Sequence, residues 1–294
     1  MADNPGKKLV SGLWLLCIGC VLIAIGLSLG GRWNAPKWWP LDDRGFHLEW
    51  KHERERAGSG KGDSSGEIPG TVKSIDVSLT AASLSVTRGP KAGYRLRGFD
   101  TDDVEITAEG DTLKIEEHGF AHSINLDGEF ARPRVEIELP EGMKLEACGI
   151  SLGAGALSLD GITSREIRVE SGAGAVRGTG LDADRLVANT GAGNVEFSDS
   201  RFGETDIRTA AGRVAVTASF GAKTSIATGA GAIDLTLPGS PDDWRIEFER
   251  GVGVVRIGDE TFTGIGNGTA GNRNAEKTVR LSSGVGAVMV RFGE

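Results

Sequence analysis

A 19-residue repeat is the feature that most restricts what this chain can fold into. Glycine-rich pentapeptides start at residues 153, 172, 191, 210 and 229, each 19 residues after the previous one. Two looser copies start at residues 251 and 284. A unit of this length is too short for a strand and a full helix, but it suits one coil of a β-solenoid. The sequence therefore predicts stacked coils whose backbones pair about 4.8 Å apart.

Each repeat unit separates into apolar columns and variable columns. The fifth residue of each unit is aliphatic: Leu157, Val176, Val195, Val214 and Ile233. The next residue varies freely: Ser158, Arg177, Glu196, Ala215 and Asp234. Apolar positions that alternate with variable ones are typical of short strands with a buried face and an exposed face.

The glycines are predicted to form the corners of the coils. A corner turns sharply within two or three residues, often with a positive φ angle, and stacked corners need thin side chains. We predict a structural role at the corners for Gly153, Gly155, Gly172, Gly174, Gly191, Gly193, Gly212, Gly229, Gly231, Gly251, Gly253, Gly284 and Gly286.

A column of hydroxyl residues stands immediately before the corners. Alternation places these side chains inside the coil with the aliphatic residues, which argues against an exposed ice-binding array. We expect their hydroxyls to form hydrogen bonds along the stack. The column contains Ser171, Thr190, Thr209 and Thr228.

Short strands are predicted before the repeats, over 74–86, 104–108, 112–117 and 134–140. We expect the segment 72–147 to cover one end of the stack, and the insertion 258–283 to cover the other. His118 and His122 fall between two strands and are interpreted as loop residues rather than metal ligands.

A membrane anchor is predicted at the N-terminus. Residues 9–31 carry no charge, and a helix of this length is about 34 Å long, enough to cross a bilayer core of about 30 Å. Residues 1–8 form a short cytoplasmic tail in this interpretation, and tryptophans follow the span at the expected headgroup level. A cleaved signal peptide is the alternative. Cys17 and Cys20 within the span are interpreted as small apolar residues rather than a redox pair.

A juxtamembrane segment and a Gly/Ser linker are predicted over 32–67, followed by the solenoid domain over 68–294, with its regular repeats at 150–238. His47 and His52 in the linker are interpreted as solvated side chains, because no third ligand accompanies them. Large domains translocate largely regardless of flanking charge, so we expect this one outside the cytoplasm.

Composition and motifs exclude several functions. The net charge of −8 argues against a nucleic-acid partner. The segment GAGAVRG lacks the Lys-Ser/Thr ending of a phosphate-binding loop, and no following helix is predicted. Cys148 is interpreted as a buried small residue, and we expect no cofactor and no metal site.

The GAG-x-V units, each preceded by a Val/Ile-x-Ser/Thr strand, resemble a bacterial putative-adhesin domain family of unknown function that includes LiaG-like membrane proteins. The resemblance covers residues 68–294, and it implies a single-stranded right-handed β-helix without established catalytic residues. The anchor and the following KWWPL (37–41) resemble the first span of LiaF-like membrane regions.

The favoured function is a membrane-anchored, non-enzymatic domain that binds or scaffolds an envelope protein or polymer, in an envelope-stress system. Membrane lipid around residues 9–31 is the one partner that the sequence identifies. A polysaccharide-active enzyme is an alternative, with Asp242, Asp243, Glu247 and Glu249 as its candidate carboxylates, although a solvated acidic loop explains them better. A self-associating scaffold that stacks end to end is the third hypothesis, and the sequence leaves the oligomeric state open.

Overall fold

The computed structural model describes residues 63–99, 103–118 and 133–293. These residues are almost entirely β-structure, as the sequence predicts, and their one helical segment is a 3₁₀ turn at Pro241–Asp243. The strands are β1 (Ser64–Glu67), β2 (Ser74–Gly89), β3 (Gly93–Arg97), β4 (Val104–Glu109), β5 (Thr112–Glu117), β6 (Arg134–Pro140), β7 (Lys144–Asp160), β8 (Thr163–Thr179), β9 (Asp182–Pro238), β10 (Trp244–Ile257), β11 (Glu260–Thr263), β12 (Gly266–Gly271) and β13 (Lys277–Gly293).

The repeats stack as parallel coils in a 19-residue register. Gly155 of β7 lies opposite Gly174 of β8, which lies opposite Gly193 of β9. The backbone ladder continues through the corners, so β9 runs unbroken for 57 residues. The result is a solenoid-like stack in which each coil contains a strand, a corner and a second strand.

The first coil of the stack lies outside the predicted repeats. Residues 74–86, predicted as a simple strand, bend at Thr80–Ala82, and Ala82 lies opposite Gly155 of β7. This corner contains no glycine, and more than sixty residues separate it from the next one. The sequence pattern therefore showed the strands of this coil but not its corner.

The last two repeats are exchanged in space relative to the sequence. β13 pairs in parallel with β9 on one side and with β10 on the other. The repeat that starts at residue 284 therefore lies between the repeats that start at 229 and 251. Along the described chain, β10 forms the outermost parallel coil at this end.

Additional strands cover both ends of the parallel stack. At one end, β5 and β6 pair with the two halves of β2, and β4, β3 and β1 follow in antiparallel pairs. At the other end, β11 and β12 come from the 258–283 insertion and pair antiparallel with β10. β5 and β6 pair in parallel with β2, and the antiparallel strands β1, β3, β4, β11 and β12 end the coil register. They leave no open parallel coil in the described residues for end-to-end stacking.

Aliphatic side chains fill the inside of the coils. Leu157, Val176, Val195, Val214 and Ile233, the predicted inner column, are each at most 2 % exposed. Aromatic rings extend this core near the C-terminal end, where the centroids of Phe202 and Phe220 lie 6.4 Å apart and those of Phe220 and Trp244 lie 6.5 Å apart. Lining of this kind accounts for the apolar columns of the repeat.

The two glycines of a corner are required for different reasons. Gly174, the third residue of its corner, has a φ of +133°, and an added Cβ would lie 1.7 Å from the Gly155 carbonyl oxygen. Gly172, the first residue, has an ordinary φ, and its added Cβ would lie 2.4 Å from the Gly153 oxygen. The fourth repeat has Ala210 at the first position. The third position therefore carries the stricter demand, since it combines positive φ with the closest approach.

The hydroxyl column lies inside the coils, but its members do not form hydrogen bonds along the stack. Thr190 and Thr228 are buried, and their Oγ1 atoms have no hydrogen-bond partner among the described residues. Thr209 donates to the Ala211 carbonyl oxygen, two residues ahead, at 3.4 Å. The prediction of an axial hydrogen-bond chain was wrong, because the Thr190 and Thr228 hydroxyls have no partner and the Thr209 hydroxyl bonds within its own coil.

We predict that Gly174→Ala strongly destabilises the stack. The methyl group meets a backbone oxygen that cannot move away, and the residue keeps an unfavourable φ, so the free energy of unfolding falls by about 3 kcal/mol or more. Gly70→Ala is the matched control, because nothing lies within 4 Å of its added Cβ. Its effect stays within about 0.5 kcal/mol. Urea unfolding of the full-length chain in detergent, followed by circular dichroism, measures both. Equal effects would contradict the steric requirement.

We also predict that Thr228→Val stabilises the chain. Valine has nearly the same shape as threonine and removes a buried hydroxyl that has no partner, for a gain of about 1 kcal/mol in unfolding free energy. Thr209→Val serves as the control, because that hydroxyl donates to Ala211 and its removal brings no such gain. The urea midpoints of the two variants measure the difference. A Thr228→Val midpoint below that of Thr209→Val would contradict this explanation.

Candidate functional site

Ion pairs connect neighbouring coils on the outer faces of the stack. Arg165 Nη1 lies 2.9 Å from Glu146 Oε2, and Arg177 Nε lies 3.3 Å from Glu196 Oε2. Both pairs join residues 19 positions apart, so they bridge equivalent positions of adjacent coils. These pairs are exposed and each contributes little to stability. They place opposite charges side by side on these faces.

An open depression lies where the chain bends from one coil to the next. We call it the bend groove. It has a volume of about 500 Å³ and crosses several coils. Its lining comprises Gly180, Leu181, Asp182, Asp199, Ser200, Arg201, Thr217, Ala218, Ser219, Thr236, Leu237, Pro238 and Gly293.

The floor of the bend groove is apolar and its rim is polar. Leu181, Ala218 and Leu237 are buried, whereas Asp199 and Arg201 are exposed. An apolar floor with a few polar groups at its edge is the usual composition of a ligand-binding depression. The bend groove is therefore the candidate binding site of this domain.

Asp199 occupies a position that is glycine in the two preceding coils. Gly161 and Gly180 have φ angles of 67° and 63°, and Asp199 keeps the same left-handed conformation at 51°. Aspartate is one of the few residues that tolerate this region. The bend thus retains its backbone shape while it gains a carboxylate on the rim of the groove.

A hydroxyl stabilises the backbone beside Asp199. The Leu181 N–H donates to Ser200 Oγ at 3.1 Å, and Ser200 Oγ donates to the Ser198 carbonyl oxygen at 2.7 Å. Ser200 is buried, and the first of these bonds links two coils at residues that line the groove. The groove is consequently formed by a well-connected bend rather than by a long loop.

Asp182 and Arg201 form an ion pair on the rim. Arg201 Nε donates to Asp182 Oδ1 at 3.1 Å, and Arg201 Nη2 donates to Asp182 Oδ2. The hydrogen bond from Arg201 lowers the pKa of Asp182, against a smaller opposing effect of burial. Asp182 is therefore ionised at neutral pH, and both of its carboxylate oxygens accept hydrogen bonds from Arg201.

Two of the four carboxylates suggested as an enzyme site, Asp243 and Glu247, have lowered pKa values. Asp243 accepts hydrogen bonds from Ser240, which lower the pKa of Asp243. Glu247 bonds to Arg280 at 2.9 Å and contacts Arg245, and the Arg280 bond lowers the pKa of Glu247. Asp242 and Glu249 are exposed. A general acid needs a raised pKa, and Asp243 and Glu247 are shifted in the opposite direction.

The other residues considered for chemistry are placed as follows. Cys148 is buried, and desolvation raises the pKa of its thiol to about 12, so it is not a thiolate at neutral pH. His118 follows β5, with Nε2 3.1 Å from Glu105 Oε2. The described residues contain no group of three or more potential metal ligands. His47, His52, His122, Cys17 and Cys20 lie outside the described residues.

Two aromatic residues that a glycan-active site would use as stacking platforms are not free on the surface. Trp244 is fully buried, and its Nε1 donates to the Pro238 carbonyl oxygen at 2.9 Å. Tyr94 is half-buried and packs over Gly66, where an added Cβ would lie 2.4 Å from its hydroxyl oxygen. Both rings therefore serve packing.

The described part of the chain contains no helix that is long and apolar enough to cross a membrane. The predicted span at residues 9–31, the tail 1–8 and nearly all of the predicted linker 32–67 lie outside the described residues. The anchor therefore stays a prediction from sequence.

Stacked glycine-cornered coils with covered ends define a class of solenoid-like all-β domains. The chain belongs to the Toastrack DUF4097 family, whose model matches residues 72–251. This match confirms the predicted resemblance to a family of unknown function. The closer likeness to LiaG-like proteins stays a prediction.

The chain is also similar, at low identity, to solved structures from several bacteria. A putative adhesin from Bacteroides fragilis is 17 % identical, with a TM-score of 0.43, over 78 % of this chain and 95 % of that one. A putative cell adhesion protein from Clostridium sporogenes is 13 % identical, with a TM-score of 0.34, over 79 % and 99 %. A putative lipid binding protein from Parabacteroides distasonis is 16 % identical, with a TM-score of 0.37, over 79 % and 99 %. No curated protein matches the sequence.

We predict that Arg201→Gln returns the pKa of Asp182 towards its ordinary value of about 3.9. Because the pKa of Asp182 is lower in the folded chain than in the unfolded chain, this pair stabilises the fold at pH values above the ordinary pKa. The contribution is lost as the pH falls through the folded pKa. Carboxyl chemical shifts followed by NMR during an acid titration measure the change. Arg177→Gln is the control, because Arg177 pairs with Glu196 and should leave the Asp182 titration unaltered. An unchanged Asp182 pKa in Arg201→Gln would contradict the assigned cause.

Proposed function

We propose that this protein is a non-enzymatic binding domain, held at the cell membrane by residues 9–31 and displayed outside the cytoplasm. In this proposal the coils form a right-handed single-stranded β-helix, as the family resemblance implies. The domain binds an envelope protein or polymer and acts in an envelope-stress response. The relatives named as adhesins and as a lipid binding protein are compatible with a binding role.

The bend groove is the observation that carries the proposal. It combines a buried apolar floor with an exposed carboxylate, Asp199, that is not needed for the backbone shape, because glycine serves that purpose in the preceding coils. The Asp199 carboxylate therefore adds a charged group to the rim that the backbone conformation does not require. The groove also follows the stack, so an extended polymer or peptide segment would contact several coils at once.

The geometry favours binding over catalysis. Asp182, Asp243 and Glu247 have lowered pKa values and are engaged in hydrogen bonds with neighbouring residues. Ionised and paired carboxylates can orient or repel a ligand, but they cannot donate a proton near neutral pH. The proposal therefore assigns recognition to these outer faces and no chemical step.

The orientation in the membrane is tested by protease digestion of intact cells or spheroplasts that express the full-length chain with a C-terminal tag. We expect the protease to remove the tag from intact spheroplasts. A cytoplasmic marker protein in the same sample is the control and must stay intact. Full protection of the tag, with digestion after lysis, would place the domain inside the cytoplasm and contradict the proposal.

The binding role is tested by affinity capture from native membranes with the full-length chain. We predict that the wild-type chain captures an envelope protein or polymer and that Asp199→Gly loses at least most of it. Glycine keeps the left-handed bend, so this variant stays folded. Asp160→Asn removes an exposed carboxylate outside the groove and should capture normally. Loss with both variants would indicate a general charge effect, and equal capture by all three chains would exclude the groove.

A further inference from the structure

The β13 strand enters a place in the stack that is already bounded on both sides by earlier parts of the chain. β9 and β10 precede it in sequence, yet β13 pairs in parallel with both. Gly286 of β13 lies opposite Gly231 of β9 and Gly253 of β10. We call this place the β13 slot, and its walls are residues 223–238 of β9 and 244–257 of β10.

The slot requires a strand to complete the core and both ladders. Val279, Leu281, Val288 and Val290 of β13 are each at most 2 % exposed. Without β13, two long parallel edges and the apolar interior between them would face solvent. Unpaired edges of this kind readily accept a strand from another chain.

The slot is selective for a particular sequence pattern. An added Cβ at Gly286 would lie 1.6 Å from the Gly231 oxygen, and one at Gly284 would lie 2.5 Å from the Gly229 oxygen. The occupant must therefore carry glycine at the third corner position and a residue as small as glycine or alanine at the first, with aliphatic residues at alternate positions before and after them. The segment that meets these demands best is β13 itself, from the same chain or from a second copy.

A short turn decides which copy supplies the strand. β12 and β13 lie on opposite edges of β10, so residues 272–276 cross two strand spacings, about 10 Å, around the end of β10. Asn272 closes this turn: its N–H donates to the Trp244 oxygen at 2.9 Å, and its carbonyl oxygen accepts from the Ala275 N–H at 3.1 Å. If the turn opens, β13 leaves its own slot, while every other contact can form again with a partner.

We infer that two copies of this chain associate by exchanging β13, each strand filling the slot of the other copy. The exchanged dimer reproduces the parallel pairings of β13 with β9 and β10, and it differs only at residues 272–276. This route to self-association does not need open ends, which β4, β3, β1, β11 and β12 cover. In the exchanged dimer the bend groove keeps its lining, with Gly293 supplied by the β13 strand of the other copy.

The exchange is tested with cysteines at two facing positions. Ala227 of β9 and Ser282 of β13 lie opposite each other, and both side chains are half-buried on the outer face. Full-length chains with Cys17→Ala and Cys20→Ala carry either Ala227→Cys or Ser282→Cys, have different tags, and are expressed in the same cells. After oxidation, an exchanged dimer yields a disulfide-linked heterodimer. The double variant Ala227→Cys/Ser282→Cys in one chain shows that this pair can form the bond.

A second pair provides the control for random contacts. Glu170 of β8 and Asn189 of β9 also lie opposite each other, but their coils adjoin in sequence and offer no slot. We expect Glu170→Cys with Asn189→Cys to give at least ten-fold less heterodimer than the first pair. Equal amounts from both pairs would show ordinary collisions between copies and overturn the inference. The double variant could form its intrachain bond while the single variants give no heterodimer. That result would show that β13 stays in its own slot, and it would also overturn the inference.

Shortening the turn should shift the balance towards exchange. Deleting residues 273–275 leaves too few residues to pass around β10 comfortably, and a strained short hinge favours exchange between copies. We expect the heterodimer yield from the Ala227→Cys and Ser282→Cys chains to rise several-fold in this background. A lower yield with a folded monomer would contradict the role of the turn. If the deletion prevents folding, the heterodimer yields of the two cysteine pairs in the unshortened chain decide the test.

Discussion

The contact that the rest of the structure depends on is the approach of a corner carbonyl oxygen to the glycine of the next coil. An added Cβ would meet that oxygen at 1.7 Å at Gly193, Gly212 and Gly231 alike. Because only glycine allows this approach, the corners fix which residues of successive coils lie opposite each other. A slip by one residue would place a side chain against the oxygen and would also turn the aliphatic columns outwards. The corners therefore determine the register, and the register forms the core.

The same contact gives the stack a direction. The corner carbonyls point towards the β10 end, and at the opposite end the Thr80 N–H donates to Glu117 Oε2 at 2.6 Å. Glu117 is half-buried there, and burial raises its pKa while the backbone donors oppose the shift. At the β10 end, the guanidinium of Arg250 donates to the Thr263 and Gly264 oxygens and lies 5.5 Å from the Phe248 ring centroid. A carboxylate thus accepts from a corner N–H at one end of the stack, and at the other end a guanidinium donates to carbonyl oxygens of the covering strand β11 and its turn.

The repeat predicted the coils, their register and the inner columns, because residues 19 positions apart lie opposite each other in neighbouring coils. It failed for coils that lack the glycine pattern and for coils whose order in space differs from their order in the sequence. The corner at Thr80 lacks glycine, and the position of β13 beside β9 depends on how far an insertion reaches, which no local pattern records. The bend groove was also missed, although Gly161, Gly180 and Asp199 recur at 19-residue intervals and mark a second turn in three successive coils. A carboxylate in a glycine column was the available signal.

The division between a fixed frame and a free surface explains why this fold suits recognition. The frame is held by corner glycines and buried aliphatic residues, whereas the outer columns are joined by exposed ion pairs that contribute little to stability. An outer residue can therefore change without loss of the stack, as Arg177, Glu196 and Ala215 show at equivalent positions of three coils. Asp199 extends this freedom to the bend itself, since it adds charge without altering the backbone. Selection for a ligand would act on these positions, and selection for folding would act on the corners.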